Sequence, residues 1–252
     1  ILAEDTRVTG KLLCAFGIKT PMESCHAHNE RQKAARFVAR MQEEDLVVAL
    51  VSDAGTPAIS DPGAFLVSAA HKAGIPVYAV PGPSAFAAAL SISGFTEGSF
   101  AFYGFLPREK KALLEKLQAM KRRGGLAVLY EAPHRLKALL QAIHSLYPDA
   151  PLFLAREISK LHEQSLLGSA GELLGQLEQT PNLGRGEFVL VLSLGEPVEV
   201  TRKASPDALP LEALLVAELA KGKDLREAME ALTAQGARKN QVYAASLKLK
   251  EL

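Results

Sequence analysis

The sequence predicts an α/β protein built from two α/β domains and a small C-terminal helical domain. Three observations predict it. Strand-length apolar runs alternate with helix-length amphipathic stretches as far as Leu194. Near-continuous apolar strands separated by helices mark a mostly parallel sheet covered on both faces. The rhythm pauses at GFTEGS (94–99), and beyond Leu211 the chain offers two or three short helices and no strand. These breaks divide the chain into an N-terminal α/β domain (1–95), a second α/β domain (96–196), a linker with three prolines (197–210) and a helical domain (211–252).

In order, ILAE reads as a strand end, followed by a short helix near Gly10 to Phe16, then PMESC. A long helix runs from Asn29 to Met41, with Ala34, Ala35, Val38 and Met41 on one face. The strand LVVALV (46–51) enters the loop SDAGTPAISDPG, and a helix from Pro62 to Lys72 leaves it. IPVYAV leads through PGPS into the helix AFAAALSIS. The second half reads FAFYGF, a charged helix from Arg108 to Arg123, LAVLYE, a helix from Pro133 to Tyr147, and PLFLARE. HEQSLLGS, a helix from Ala170 to Gln179 and EFVLVLSL follow. The mixture of period-two and helical segments predicts an α+β or mixed-sheet second domain. No repeat or low-complexity tract interrupts it. Because ILAEDTR resembles a strand already entering its loop, an earlier strand with its own loop is expected to precede Ile1.

Composition narrows the function. Lys plus Arg is 29 against 28 acids, so any anion-binding surface is local. No apolar run approaches the ~20 residues of a membrane span, and no signal peptide is visible. Cys14 and Cys25 match no metal or disulfide spacing and read as reduced, packed thiols of a cytoplasmic protein. His26 and His28 lie on one side of an extended segment without a third ligand nearby, so no metal site is assigned. GxxxxGK[ST], GxGxxG, GxSxG and HExxH motifs are absent.

The loop SDAGTPAISDPG carries more glycine, proline and aspartate than a strand-to-helix turn requires. Asp61-Pro62 reads as a helix start, with Asp61 as N-cap and Pro62 in the first turn; an acid that helps hold a cationic ligand is the second reading of Asp61. That leaves Asp53, Ala54, Gly55, Thr56 and Pro57 at the carboxyl end of a buried strand, where open α/β sheets bind ligands. The next strand ends in Pro81, Gly82, Pro83 and Ser84, followed by small residues from Ala85. Two such strand ends outline a groove for a flat ligand.

AEDTR, SDAGTPAISDPG, VPGPSA, YEAPHR, the ARE of FLARE and GEFVLVL, in this order and spacing, resemble the ribosomal RNA small subunit methyltransferase I family. The resemblance spans the chain from Ile1 to the helical tail. It implies the tetrapyrrole-methylase fold, with S-adenosylmethionine held in a cleft between the two α/β domains, and a homodimer. It also implies 2′-O-ribose methylation of a cytidine in 16S ribosomal RNA of the small subunit. In the family, a first strand and a GTPIGNL-like loop precede the position of Ile1. Two rivals stand beside this reading. One is a small-molecule methylase of the same fold acting on a tetrapyrrole, against which AEDTR, YEAPHR and the tail argue. The other is a non-catalytic cofactor- or RNA-binding module.

Carried onto this chain, the donor's amino-acid end falls to the loop from Asp53 to Pro57, with Ile59, Ser84 and Ala85. Adenine falls to Tyr130, Ala132, Pro133 and Ala155. Glu131 and Glu157, each just after an apolar strand, are the expected catalytic carboxylates, with Arg135 and Arg156 as partners. An ion-pair network of purely structural role uses the same four residues. Direct transfer without metal or covalent intermediate is expected. REKKALLEKLQAMKRR (108–123) holds seven bases and two acids, and reads either as a solvated face or as a contact for RNA phosphates.

Overall fold

The computed structural model describes residues 1–179, 186–197 and 210–250. The chain forms two compact units, Ile1–Val198 and Glu199–Leu252. Apart from Pro197 and Pro210, the expected linker lies outside the described residues.

The first unit opens with a small parallel sheet of β1 (Leu2–Ala3), β2 (Glu23–Ser24) and β3 (Leu50–Val51), in the order β2-β1-β3. Helix α1 (Thr6–Ala15) joins β1 to β2, and α2 (Glu30–Glu43) joins β2 to β3. After β3 come α3 (Ala64–Lys72) and α4 (Ala85–Ile92). Leu2, Cys25, Ala34, Phe37 and Leu66 form the core here. The buried stripe of α2 is Glu30, Ala34 and Phe37, with Val38 and Met41 half-buried. Ala35, expected on that face, is exposed, because the larger Phe37 ring takes the place against β1 and α3.

Three local expectations change. Only Leu50 and Val51 of LVVALV pair. IPVYAV forms no strand among the described residues, and Tyr78 and Val80 are 86% and 87% exposed. A strand is defined by its partner, and no neighbouring strand is described beside this run. Helix α3 begins at Ala64, not Pro62. Its N-cap is Gly63, at φ +134, where a Cβ would meet Leu50 Cδ2 at 2.4 Å. The cap itself comes from afar: Glu30 Oε1 accepts from Gly63 N–H at 2.8 Å and Phe65 N–H at 2.7 Å. With those donors taken, the Asp61 side chain has no capping role. Cys14 is exposed rather than packed, whereas Cys25 is buried.

The second sheet runs β4 (Phe100–Phe105), β5 (Leu126–Glu131), β8 (Phe188–Ser193), β6 (Pro151–Arg156), β7 (Gln164–Ser169) in spatial order. Only β4 and β5 are parallel; β5–β8, β8–β6 and β6–β7 are antiparallel. Side chains alternate between its faces. Ala127, Leu129, Leu190 and Leu192 meet α5 (Lys110–Arg123), α6 (Pro133–Leu146) and α7 (Ala170–Gln179). Leu126, Val128, Val189 and Val191 meet Ala89 of α4. Both faces are therefore covered, and α4 carries the first half of the unit onto the second sheet.

The second unit packs α8 (Leu211–Leu219), α9 (Leu225–Ala234) and α10 (Lys239–Lys250) around Leu215, Ala228, Leu232, Val242 and Ala245. Asp224 and Glu227 form a capping box at the start of α9. Among the described residues no helix is long and apolar enough to cross a membrane.

Candidate active site

A cavity of about 310 Å³ opens in the first unit where β3, β4 and β5 end. One wall is the loop after β3, contributing Ala54, Gly55, Thr56, Ile59, Ser60 and Asp61. Ser84 and Ala85 at the start of α4 face it. The second sheet closes the rest with Phe105, Tyr130 and Glu131, the helix start Ala132-Pro133, and Gly186 to Val189 entering β8. Antiparallel pairing brings that last segment here: the register sets Glu131 opposite Phe188 and Tyr130 opposite Val189.

The loop is held by its neighbours. Gly55 lies at φ +72 and Ala58 at φ +65, a left-handed pair of turns that a bulky residue resists. Ser52 Oγ donates to the carbonyls of Ala54 and Gly55, and Thr56 Oγ1 donates to Pro83 O at 3.1 Å. Asp53 turns away from the cavity: its N–H donates to Glu4 Oε2 and its Oδ1 accepts from Asp5 N–H, both at 3.2 Å. Arg7 in turn holds the Asp5 carboxyl down at about 2. AEDTR thus clasps SDAGTP rather than lining the cavity.

Tyr130 bridges the halves. Its hydroxyl accepts from Phe86 N–H, a free donor in the first turn of α4, at 3.2 Å. Its ring meets Phe102 and Phe105 edge-on, at centroid distances of 4.9 and 5.8 Å. Burial pushes the phenol up.

Glu131 is the most enclosed acid, with a side chain 0% exposed. Oε1 accepts from Ala132 N–H at 2.8 Å, while Oε2 is buried without a hydrogen bond, 3.3 Å from Arg135 Nη2. Arg135 donates from that nitrogen to the carbonyls of Leu106 and Pro107. Burial raises the Glu131 carboxyl, and the Ala132 N–H and then Arg135 oppose the rise.

Of the expected catalytic residues, only Glu131 lines the cavity. Glu157, at φ +51, uses Oε1 to accept from Glu187 N–H at 2.8 Å and Lys160 Nζ at 3.0 Å. Lys160 and then the Glu187 amide hold its carboxyl low. A Cβ on Gly186 would meet Glu157 Cγ at 2.7 Å, so Glu157 braces the segment that delivers Glu187 to the wall. Arg156 donates to Gln164 across the β6–β7 pair. Arg135 stands behind Glu131. Asp53, Pro57, Pro81, Gly82 and the buried Ala155 also lie outside the lining.

Ser60, Phe105 and the segment from Gly186 to Val189 line the cavity without having been assigned to it, and Asp61, read first as a helix cap, lines it too. Among the described residues, the charged members of the lining are Asp61, Glu131 and Glu187, with no Lys, Arg or His. Among the described residues, no group of three or more His, Cys, Asp or Glu is arranged to hold a metal ion.

The sequence pattern of the Tetrapyrrole (Corrin/Porphyrin) Methylases matches residues 1–174. A Ribosomal RNA small subunit methyltransferase I from Pseudomonas aeruginosa is 40% identical over 249 residues, 98% of this chain and 86% of that one. The Escherichia coli O157:H7 protein of the same name is 40% identical over 248 residues, covering 98% and 85%. The crystal structure of the methyltransferase CobJ superposes with a TM-score of 0.50 over 76% of this chain and 92% of that one, at 16% identity, which is a likeness of fold alone. Motifs, fold and relatives agree: the chain belongs to the ribosomal RNA small subunit methyltransferase I family, within the tetrapyrrole methylases.

Proposed function

We propose that this chain transfers a methyl group from S-adenosylmethionine to ribosomal RNA of the small subunit. More finely, the acceptor is the 2′-hydroxyl of a cytidine ribose in 16S RNA, and the working form is the homodimer implied by the family resemblance. The observation that carries the donor assignment is the acidic cavity lining, with Asp61, Glu131 and Glu187 and no basic residue among the described ones. Such a wall favours a cationic ligand and repels phosphate. S-adenosylmethionine supplies an electrophilic methyl group on a positively charged sulfur. A slot flanked by Tyr130, Phe105, Ala132 and Pro133 suits its adenine, and the volume is that of a small-molecule site.

RNA phosphates are then bound outside the cavity. Helix α5 presents Lys110, Lys111, Arg122 and Arg123 to solvent. Lys121 is engaged otherwise, donating to Leu194 O. At the reacting centre this chain's residues position the hydroxyl and accept its proton; Glu131 is the carboxylate placed to do so. Its Oε2 makes no hydrogen bond and lies 3.3 Å from Arg135 Nη2.

The test supplies small ribosomal subunits and methyl-labelled donor, then analyses nucleosides by mass. Label on a cytidine ribose is expected. Label on a base carbon or nitrogen would refute the acceptor assignment. A second variant probes the loop. Gly55→Val forces a β-branched residue to φ +72, although its Cβ meets nothing closer than Pro83 O at 3.5 Å. Backbone strain should then reshape the loop and weaken donor binding by about tenfold or more, with the melt nearly unchanged. Calorimetry showing unaltered affinity would remove this loop from the site.

A further inference from the structure

The three wall carboxylates are not equivalent. Glu131 lies 3.3 Å from Arg135, and Glu187 lies 3.1 Å from Lys160. Asp61 has neither a hydrogen-bond nor an ion-pair partner among the described residues. Its sequence position suits a helix cap, yet the Glu30 carboxylate already satisfies Gly63 N–H and Phe65 N–H at the start of α3. The fold therefore makes no use of the Asp61 charge. Burial and the carboxylates of Glu4, Asp53 and Glu187 all oppose its ionisation. An anion kept half-buried near other anions, with no counter-ion of its own among the described residues, leaves a negative field that a cation from outside relieves.

Methyl transfer changes the ligand's charge. The S–CH₃ bond breaks with its electron pair remaining on sulfur, the O–CH₃ bond forms, and the hydroxyl proton passes to the base. The sulfonium becomes a neutral thioether, while the amino-acid end and the adenosine are unaltered. We infer that Asp61 is the charge-discriminating residue of the donor site, favouring S-adenosylmethionine over S-adenosylhomocysteine and so promoting exchange of spent product for fresh donor. This rests on the donor reading above. The residue acts on the one feature in which the two ligands differ, whereas an acid placed against the α-ammonium would hold both alike.

Calorimetric titrations of the intact chain separate these cases. The wild type should bind S-adenosylmethionine about tenfold more tightly than S-adenosylhomocysteine, a preference between those of a charge pair in bulk water and at protein-surface dielectric. Sinefungin, which carries an amine where the donor carries its methyl, should bind like the donor. In Asp61→Asn the preference should shrink to about twofold or less, mainly through lost donor affinity, as expected when the charge pair is removed. A preference unchanged in that variant, or both affinities falling in parallel, overturns the inference and leaves the donor reading standing. Equal wild-type affinity for all three ligands overturns it without any variant, which covers the case of an Asp61→Asn protein that does not fold. Failure of the wild type to bind any of them overturns both.

Discussion

Glu30→Ala is expected to lower the stability of the first unit by about 2 kcal/mol, because one carboxylate oxygen serves two N–H donors, one buried and one part-buried. Both bonds are short, at 2.8 and 2.7 Å, and charge-assisted, and the residue is only 6% exposed. Removal leaves the buried Gly63 N–H without an acceptor at full desolvation cost, while the part-buried Phe65 N–H loses less. It also takes a negative charge from the positive end of α3. Glu30→Gln keeps one acceptor oxygen and should lose roughly half as much. Urea unfolding followed by a probe in the first unit reads the difference. A loss under about 0.5 kcal/mol would mean that water or Asp61 replaces the cap. Because α3 starts where the SDAGTPAISDPG loop ends, the same variant should also weaken donor binding.

That cap shows where sequence reasoning stops. Asp61-Pro62 has the local chemistry of a helix start, and local chemistry was the only guide. Glu30 lies 33 residues away, on another helix, and no spacing connects it to Gly63. Once Glu30 occupies the helix end, Asp61 is released to the cavity, and the functional reading of Asp61, second in the sequence, gains over the structural one. Alternating apolar and helical periods were legible, as were the strand ends that border the cavity, because they depend on composition over short windows. The extended run IPVYAV shows the limit of the same rule: its apolar pattern suits a strand, but a strand also needs a neighbour.

Glu187 was hidden for a different reason. GEFVLVL was recognisable as a strand, but its direction and register relative to LAVLYE are tertiary facts. Running β8 antiparallel beside β5 puts its first residues next to Tyr130 and Glu131. A parallel strand would have sent them to the opposite end of the sheet. Glu157 and Glu131 looked alike in sequence, each ending an apolar run. Burial separates them: Glu157 is bound by Lys160 and an amide at the surface, while the wholly buried Glu131 keeps one oxygen without a hydrogen bond beside Arg135.

Glu131→Gln should therefore be the most damaging single change to turnover, lowering methyl transfer by about 10²- to 10³-fold, the usual contribution of a positioned proton acceptor. Donor affinity should change little, because Glu131 is charge-matched by Arg135 within the protein. The fold should persist, since Arg135 still donates to the carbonyls of Leu106 and Pro107 and the amide oxygen can accept from Ala132 N–H. The pH dependence supplies a second readout. Burial raises this carboxyl above the ordinary value of 4.5, more than Ala132 N–H and Arg135 lower it. The folded state thus holds the proton more tightly than the unfolded chain does. Its contribution to stability is consequently undiminished below the ordinary value and falls as pH rises from there through the raised one. The Gln variant should lose that slope and gain relative stability above it. In the wild type, the transfer rate should climb over the raised range as the carboxylate forms, and the residual rate of the variant should not. A Glu131→Gln enzyme with full rate and an unchanged pH profile would return Glu131 to a structural role and place proton acceptance elsewhere.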